Sequence, residues 1–559
     1  MSAVETCCVV TVFESLQENR DESGSDSLQT PRLPPAHKCL SCTGVMILND
    51  DRGSGIVLCS GPMFSHFLIS KENTFPDRQF LLRDRFSNKL EIYVQHTGKA
   101  VVPAINHDCE KIVRTCSKLY KQQNIATLKA ELIMVVNCVE FRTAFLNLFK
   151  QSDKWKFYSS EGDCDLTEDC AFLSWFAVLG VPHLHESKHE GHVRWESSCV
   201  LERGWEVFAC GSPFGSLCPD LFMSTLSKGI VSNLAGEDHA LILTDARCLP
   251  GTEGGGLFLR KGDCDFLVGV IVSPLCWKAA EWIGLTLVCS FHLILKNVVQ
   301  SLNLCSSLRR FIFLVPTPLN EALPRKGQST AMQNFPVVVL VDSGKFWGSA
   351  IVLSSQLIMT CRHVLNGKTG VIVRYKMPER LLARKGDVLY ATKFSSPFDV
   401  AIVRLKEHLP DIFVPTWASS YKPGEDVYVI GHGVFGENCG PSVTSGILSR
   451  VIESNCEPVM LQTTCAVQAG ASGGAVVRAA TGELLGTVHS TKCHSIVMVK
   501  CMTELNAFHA HSIDKCAQLI LFQSIECFFQ LILSGIALES PVELLDIITT
   551  SYPPLSLKY

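Results

Sequence analysis

The sequence predicts a mainly β protein made of two tandem copies of one barrel- or sandwich-type domain, the first copy degenerate in its chemistry. Two observations predict this. Short Val/Ile/Leu-rich runs are punctuated by glycine, as in Gly348-Ser349-Ala350-Ile351-Val352-Leu353 and Asp426-Val427-Tyr428-Val429-Ile430-Gly431, the spacing of strands joined by tight turns. Four segments also recur in the same order along the chain. Residues 53–58 match 348–353, 211–215 match 431–436, 227–232 match 444–449, and 244–255 match 463–474 without a gap.

Taken in chain order, residues 1–38 form a variable N-terminal segment. The run Ser23-Gly24-Ser25-Asp26-Ser27 and the proline-rich Pro31-Arg32-Leu33-Pro34-Pro35 give 15–38 the composition of a flexible connection. Residues 39–305 form the degenerate copy. Within it 110–150 read as a helical insertion, with Leu128, Leu132, Phe145 and Leu148 on one face. Residues 306–336 are a linker, 337–500 the second copy, and 501–559 a divergent apolar tail. In that tail, 517–538 has about the length of a membrane span. Gln518, Gln523, Glu526 and Gln530 interrupt it, and a charge at mid-bilayer is costly. A buried or interfacial helix is expected there, with no stable membrane insertion.

The 559 residues suffice for several cores, and 47% hydrophobic against 19% charged residues is a globular composition. A formal net charge of −4 without a long basic run gives no sign of a nucleic-acid partner. The 26 cysteines sit in apolar runs such as Val57-Leu58-Cys59 and Leu287-Val288-Cys289, where a thiol behaves as a small hydrophobe. The N-terminus has neither a basic region nor a long apolar core, so it is not a secretory signal. Reduced thiols in an intracellular compartment are therefore expected. Cys39-Leu40-Ser41-Cys42 is a lone CxxC near His37; without a second pair of ligands it is read as chance rather than zinc.

The chemistry lies in the second copy. A serine hydroxyl needs a base within reach, an acid that orients the base, and two N–H groups aimed at the developing oxyanion. The loop Gly470-Ala471-Ser472-Gly473-Gly474 supplies a serine whose flanking glycines let the amides of Gly470 and Ser472 converge. Met359-Thr360-Cys361-Arg362-His363-Val364 places a histidine on a turn after an apolar run, and Ser396-Pro397-Phe398-Asp399 puts an acid just before another. His363, Asp399 and Ser472 follow one another at separations of 36 (399−363) and 73 (472−399) residues. This is the chain order of chymotrypsin-type enzymes, not of subtilisins or α/β-hydrolases. There is no HExxH motif, and neither a metal nor a cofactor is expected.

These three segments resemble trypsin-like serine proteases of the HtrA/Deg type. Over roughly residues 40–490 the whole chain is similar to a family of peroxisomal processing proteases. The telling segments are GSPFGSLCPDLFMSTLSKGIVSN from Gly211, LTDARCLPGTEGGGLF from Leu243, SPLCWKAAEWIG from Ser273, FGENCGPSVTSGILS from Phe435 and PVMLQTTCAV from Pro458. The resemblance implies two trypsin-like double β-barrels, the triad His363, Asp399 and Ser472, and an oxyanion hole from Gly470 and Ser472. It further implies an endopeptidase that removes N-terminal leaders from imported peroxisomal proteins, β-oxidation enzymes among them. Cleavage after cysteine, self-cleavage and a homo-oligomer come with it, and Cys109 lies in a suitable region for self-cleavage.

Three readings remain to be tested against structure. In the first copy Glu253 stands opposite Ser472, Ser174 is nearest to Asp399, and Leu68 aligns with His363, with His66 two positions away. That copy should not hydrolyse peptides. After Gly486-Thr487-Val488-His489-Ser490 the resemblance fades, so completion of the second barrel is open; residues 496–499 are the candidate last strand. The chain ends Ser556-Leu557-Lys558-Tyr559 rather than in the family's Ser-Lys-Leu peroxisomal signal, and location otherwise falls to the cytoplasm. The alternatives to an active endopeptidase are a disabled interaction protein and an esterase with the same triad.

Overall fold

The computed structural model describes residues 2–14, 39–49, 55–70, 78–97, 125–149, 155–157, 172–182, 191–274, 276–278, 281–305, 335–377, 380–395, 399–410, 412–437, 439–454, 457–489 and 497–501. The chain divides into two compact units, Met1–Leu323 and Pro324–Tyr559. Each unit holds two rings of six antiparallel strands, so the fold is mainly β with tandem double barrels.

In the first unit, β1 (Cys7–Glu14), β2 (Leu40–Asn49), β3 (Gly55–Ser60), β4 (Leu90–Thr97), β5 (Ile125–Asn137) and β6 (Trp175–Val181) pair in the order β1-β2-β3-β6-β5-β4, and β4 returns to β1. Its second ring is β7 (Glu206–Gly211), β8 (Thr225–Ala235), β9 (Leu241–Thr244), β10 (Gly256–Lys261), β11 (Cys264–Ser273) and β12 (Thr286–Ser290), in the order β7-β8-β9-β12-β11-β10. A helix, Phe291–Leu304, follows and buries Phe291, Ile294, Leu295, Val298 and Leu302, the spacing of one helical stripe.

The second unit repeats this connectivity. Its first ring is β13 (Val338–Asp342), β14 (Trp347–Val352), β15 (Leu357–Thr360), β16 (Gly370–Lys376), β17 (Leu381–Ala391) and β18 (Ala401–Leu405). Its second is β19 (Asp426–Gly431), β20 (Ser442–Ser454), β21 (Glu457–Thr463), β22 (Ala475–Arg478), β23 (Leu484–His489) and β24 (Val497–Cys501). The period-2 pattern explains the cores. Along β16 the buried Val371 and Val373 flank an outward Ile372, and the inward set meets Val339, Val341, Ala350, Val352, Ile358, Ala401 and Val403 inside the ring.

Three readings change. The stretch read as helical holds β5 and then a helix over Val139–Leu148. Leu128, Ala130 and Leu132 lie on one face of a strand; a four-residue spacing fits both periods, and the alternating members between decide it. The variable N-terminal segment supplies β1, which pairs with both β2 and β4. The last ring closes, because β24 pairs with β21 and β23. Self-cleavage at Cys109, the CxxC-adjacent His37 and the apolar stretch 517–538 lie outside the described residues.

Buried cysteines such as Cys7, Cys8, Cys42, Cys59, Cys210 and Cys289 form no disulfide. Cys8, Cys42 and Cys59 pack into the first barrel core, and burial, the largest cause, pushes the thiols of Cys8 and Cys59 up. No helix among the described residues is long and apolar enough to cross a membrane.

Candidate active site

His363 comes from the short helix Arg362–Leu365 that follows β15. The helix stops where Asn366 takes a left-handed φ of 49°, and the amide of Asn366 bonds the His363 carbonyl at 3.2 Å. Asp399 ends the loop before β18 and is 5% exposed. Its two oxygens serve the same residue: the His363 amide donates to Oδ1 at 2.9 Å, and His363 Nδ1 lies 2.5 Å from Oδ2. One carboxylate thus fixes both the backbone and the ring of the histidine. Burial raises the Asp399 pKa, but the imidazoles of His363 and His489 outweigh it and hold the carboxyl far below the usual range. The Arg362 guanidinium stands 3.7 Å from Oδ1.

Ser472 is carried by the turn between β21 and β22. Gly470 and Gly473 take φ values of 93° and 84°, where a side chain is strained. A Cβ on Gly473 would stand 2.1 Å from the Ser349 carbonyl oxygen, and one on Gly470 2.2 Å from the Trp347 ring. Strand β14 holds the loop in place: the Ser349 amide donates to the Ser472 carbonyl at 2.8 Å, and Ser349 Oγ donates to the Gly470 carbonyl at 2.8 Å while accepting from the His432 amide. Ala471, Gly473 and Gly474 donate their amides to Gln468, Val488 and Ala471. Among the described residues, the amides of Gly470 and Ser472 find no acceptor. Two free donors at these positions are what a tetrahedral oxyanion requires.

The structure adds a residue that sequence reasoning passed over. His489, at the end of β23, puts Nδ1 2.9 Å from Asp399 Oδ2, and its ring stands 5.7 Å from that of His363 at 76°. The signal was present in Gly486-Thr487-Val488-His489-Ser490, but the contact joins β23 of one ring to the loop before β18 of the other.

The first unit builds the same frame around different side chains. The Thr43 amide bonds the Glu253 carbonyl at 2.9 Å, and Thr43 Oγ1 donates to Gly251 at 2.7 Å and accepts from Ser212. Thr43 therefore matches Ser349, and Glu253 matches Ser472. Glu253 turns its carboxylate back on the loop, where Oε2 accepts from the Gly251 amide at 2.7 Å. The pseudo-oxyanion site is filled by its own acid. Burial, the largest cause, raises the Glu253 pKa to about 7 against the bonds from its own amide and that of Gly251.

The registers correct the other two correspondences. Gly44 pairs with Cys59 as Ala350 pairs with Thr360, so counting three on from each puts Pro62, not Leu68, at the place of His363. Cys59 pairs with Ala177 as Thr360 pairs with Ala401, so Trp175, one residue beyond Ser174, stands for Asp399. The ungapped match of 53–58 to 348–353 joined β3 to β14 rather than β2 to β14, because both strands carry a Gly and an Ile-Val or Val-Met-Ile run.

Residues 348–486 match the family described as a Trypsin-like peptidase domain. The chain is 38% identical over 478 residues to the peroxisomal leader peptide-processing protease of Mus musculus, spanning 80% of this chain and 83% of that one. It is 38% identical over 479 residues to the Homo sapiens protein of the same name, spanning 80% and 82%. The crystal structure of a serine endoprotease from Yersinia pestis is similar at 23% identity and a TM-score of 0.27, over 33% of this chain and 66% of that one.

Proposed function

Since the chain belongs to the family of the peroxisomal leader peptide-processing proteases and is a serine protease with a trypsin-like peptidase domain, we propose that Ser472, His363 and Asp399 form its triad. Gly470 and Ser472 provide the oxyanion donors. The observation that carries the reading is the bidentate hold of Asp399 on His363, amide at 2.9 Å and Nδ1 at 2.5 Å, beside a loop with two unused amides. Asp399 keeps the proton on Nδ1, which leaves the Nε2 lone pair as the base.

Ser472 Oγ bonds the scissile carbonyl carbon as its proton passes to His363 Nε2, and the carbonyl π pair moves onto oxygen, facing the Gly470 and Ser472 amides. The imidazolium then protonates the leaving nitrogen as the C–N bond breaks. Water repeats the sequence on the acyl ester and regenerates the serine. The closed last ring favours the active reading over a disabled form.

The name of the relatives, together with the sequence resemblance, supports the finer proposal: the chain removes N-terminal leaders from imported peroxisomal matrix proteins, including β-oxidation enzymes, works in the peroxisome, and cleaves itself. A fluorophosphonate probe tests the triad. Labelling is expected and should vanish in Ser472→Ala. A leader-bearing peptide left intact while a simple ester is hydrolysed would overturn the endopeptidase reading in favour of an esterase.

A further inference from the structure

Four side chains of different kinds converge at the proposed catalytic base. The ligand atoms of Cys361, His363, Asp399 and His489 all lie within 4.8 Å of one another. Cys361 and Asp399 are buried at 1% and 5% exposure, and the Cys361 thiol donates to the Val488 carbonyl at 3.3 Å. The polar bookkeeping around Asp399 is incomplete. Its Oδ2 takes His363 Nδ1 at 2.5 Å and also faces His489 Nδ1 at 2.9 Å as an ion-pair contact, but at an angle that gives the buried His489 Nδ1 no well-formed hydrogen bond. Two imidazole nitrogens thus meet one carboxylate oxygen, and one of them is left without a well-formed bond, a costly condition for a buried group.

A divalent cation seated among these atoms would satisfy both. The donor set narrows the metal: imidazole, carboxylate and thiol together suit zinc and do not suit magnesium or calcium. Tetrahedral zinc with bonds of about 2.0–2.3 Å needs donor atoms about 3.4 Å apart. Rotation of the two rings by a few tenths of an ångström to an ångström at the nitrogen reaches that spacing from 2.5 and 2.9 Å.

We propose that this centre binds one zinc ion through His363, His489, Asp399 and Cys361, and that zinc reversibly silences the protease. The binding step stands on the cluster itself; the silencing rests on the role of His363 assigned above. A neutral imidazole has one lone pair. Once Nδ1 of His363 gives that pair to zinc, the ring proton sits on Nε2, which then has nothing to accept the Ser472 proton with. The Cys361 thiol releases its proton to solvent on ligation. Removal of zinc returns the Nδ1 proton to its bond with Asp399 and restores the base.

The experiment uses the full chain carrying Ser472→Ala, which keeps all four ligands and removes turnover, titrated with zinc chloride beside the double variant Ser472→Ala/His489→Ala. The double variant should bind this ion at least tenfold more weakly, on the order of the 10–100-fold lost when a site loses an orienting partner. The second cluster, Cys199, Asp238 and His292, is common to both proteins and cancels in the difference. Coinciding titrations overturn the proposal. Cobalt(II) gives an independent reading that needs no histidine variant: Ser472→Ala should show a stronger thiolate-to-cobalt charge-transfer band than Ser472→Ala/Cys361→Ser, Cys199 of the second cluster contributing equally to both, and a band unchanged by Cys361→Ser removes Cys361 from the site. In the unsubstituted chain, zinc should suppress fluorophosphonate labelling and a chelator should restore it. Labelling that persists at saturating zinc overturns the silencing; a chain that never labels, zinc or not, removes the triad reading while the binding result stands by itself.

Discussion

At the scale of the residue, two buried carboxylates, one in each unit, have opposite fates. Asp399 is pulled far below the usual range by the imidazoles against it. It therefore contributes stability above about pH 4 that is lost as pH falls through its depressed value. Asp399→Asn should lower kcat about 10⁴-fold, since the amide orients the wrong tautomer, and Ser472→Ala should lower it on the order of 10⁶-fold; steady-state cleavage of a leader peptide measures both. Glu253 is the reverse case. With its pKa raised to about 7, it contributes stability that is complete below about pH 4 and lost as pH rises through neutrality. Glu253→Gln keeps the bond from the Gly251 amide without the charge. Its melting temperature relative to the parent should therefore rise between about pH 5 and about pH 8. A difference that stays flat with pH would mean that Glu253 stays ionised without penalty.

Elements decide whether those residues meet. Ser349 on β14 makes the two bonds that join the Gly470 carbonyl to the His432 amide. Ser349→Ala removes the hydroxyl that both buried groups bond, so stability should drop about 1–3 kcal/mol and kcat should fall with KM little changed, because the oxyanion loop loses its anchor; denaturant unfolding and kinetics read the two effects. The loops around Ser472, His363 and Asp399 were legible because their chemistry is local: glycines fixed by positive φ, an acid before an apolar strand, a histidine on a turn. The repeat was legible where strand and loop are both short, as in 244–255 against 463–474. It misled at 53–58, where two neighbouring strands carry the same Gly-and-β-branched pattern and only cross-strand register separates them. The strand Ile125–Asn137 was hidden for a related reason, since leucines four apart suit either period. His489 was invisible to spacing, because its contact with Asp399 spans two different rings of the unit.

Among the described residues, two copies of the same frame hold the proposed triad once. A fluorophosphonate should thus label one serine per chain, and the intact mass after labelling should show a single adduct. The last ring sets where that site can end. Strand β24 closes it by pairing with β21 on one side and β23 on the other, and β23 ends at His489 beside Asp399. A chain stopped after Cys501 retains all six strands, so it should still label. Stopping after His489 removes β24, which strips the pairing from both neighbours and leaves two open edges where the ring was continuous. That shorter chain should lose labelling and expose the core of the ring, seen as a gain in binding of a hydrophobic dye, while the first unit, with its own closed barrels, keeps its far-ultraviolet strand signal. If the chain stopped after Cys501 also fails to label, the residues that follow it take part in the site, and ring closure by β24 is not enough to finish it.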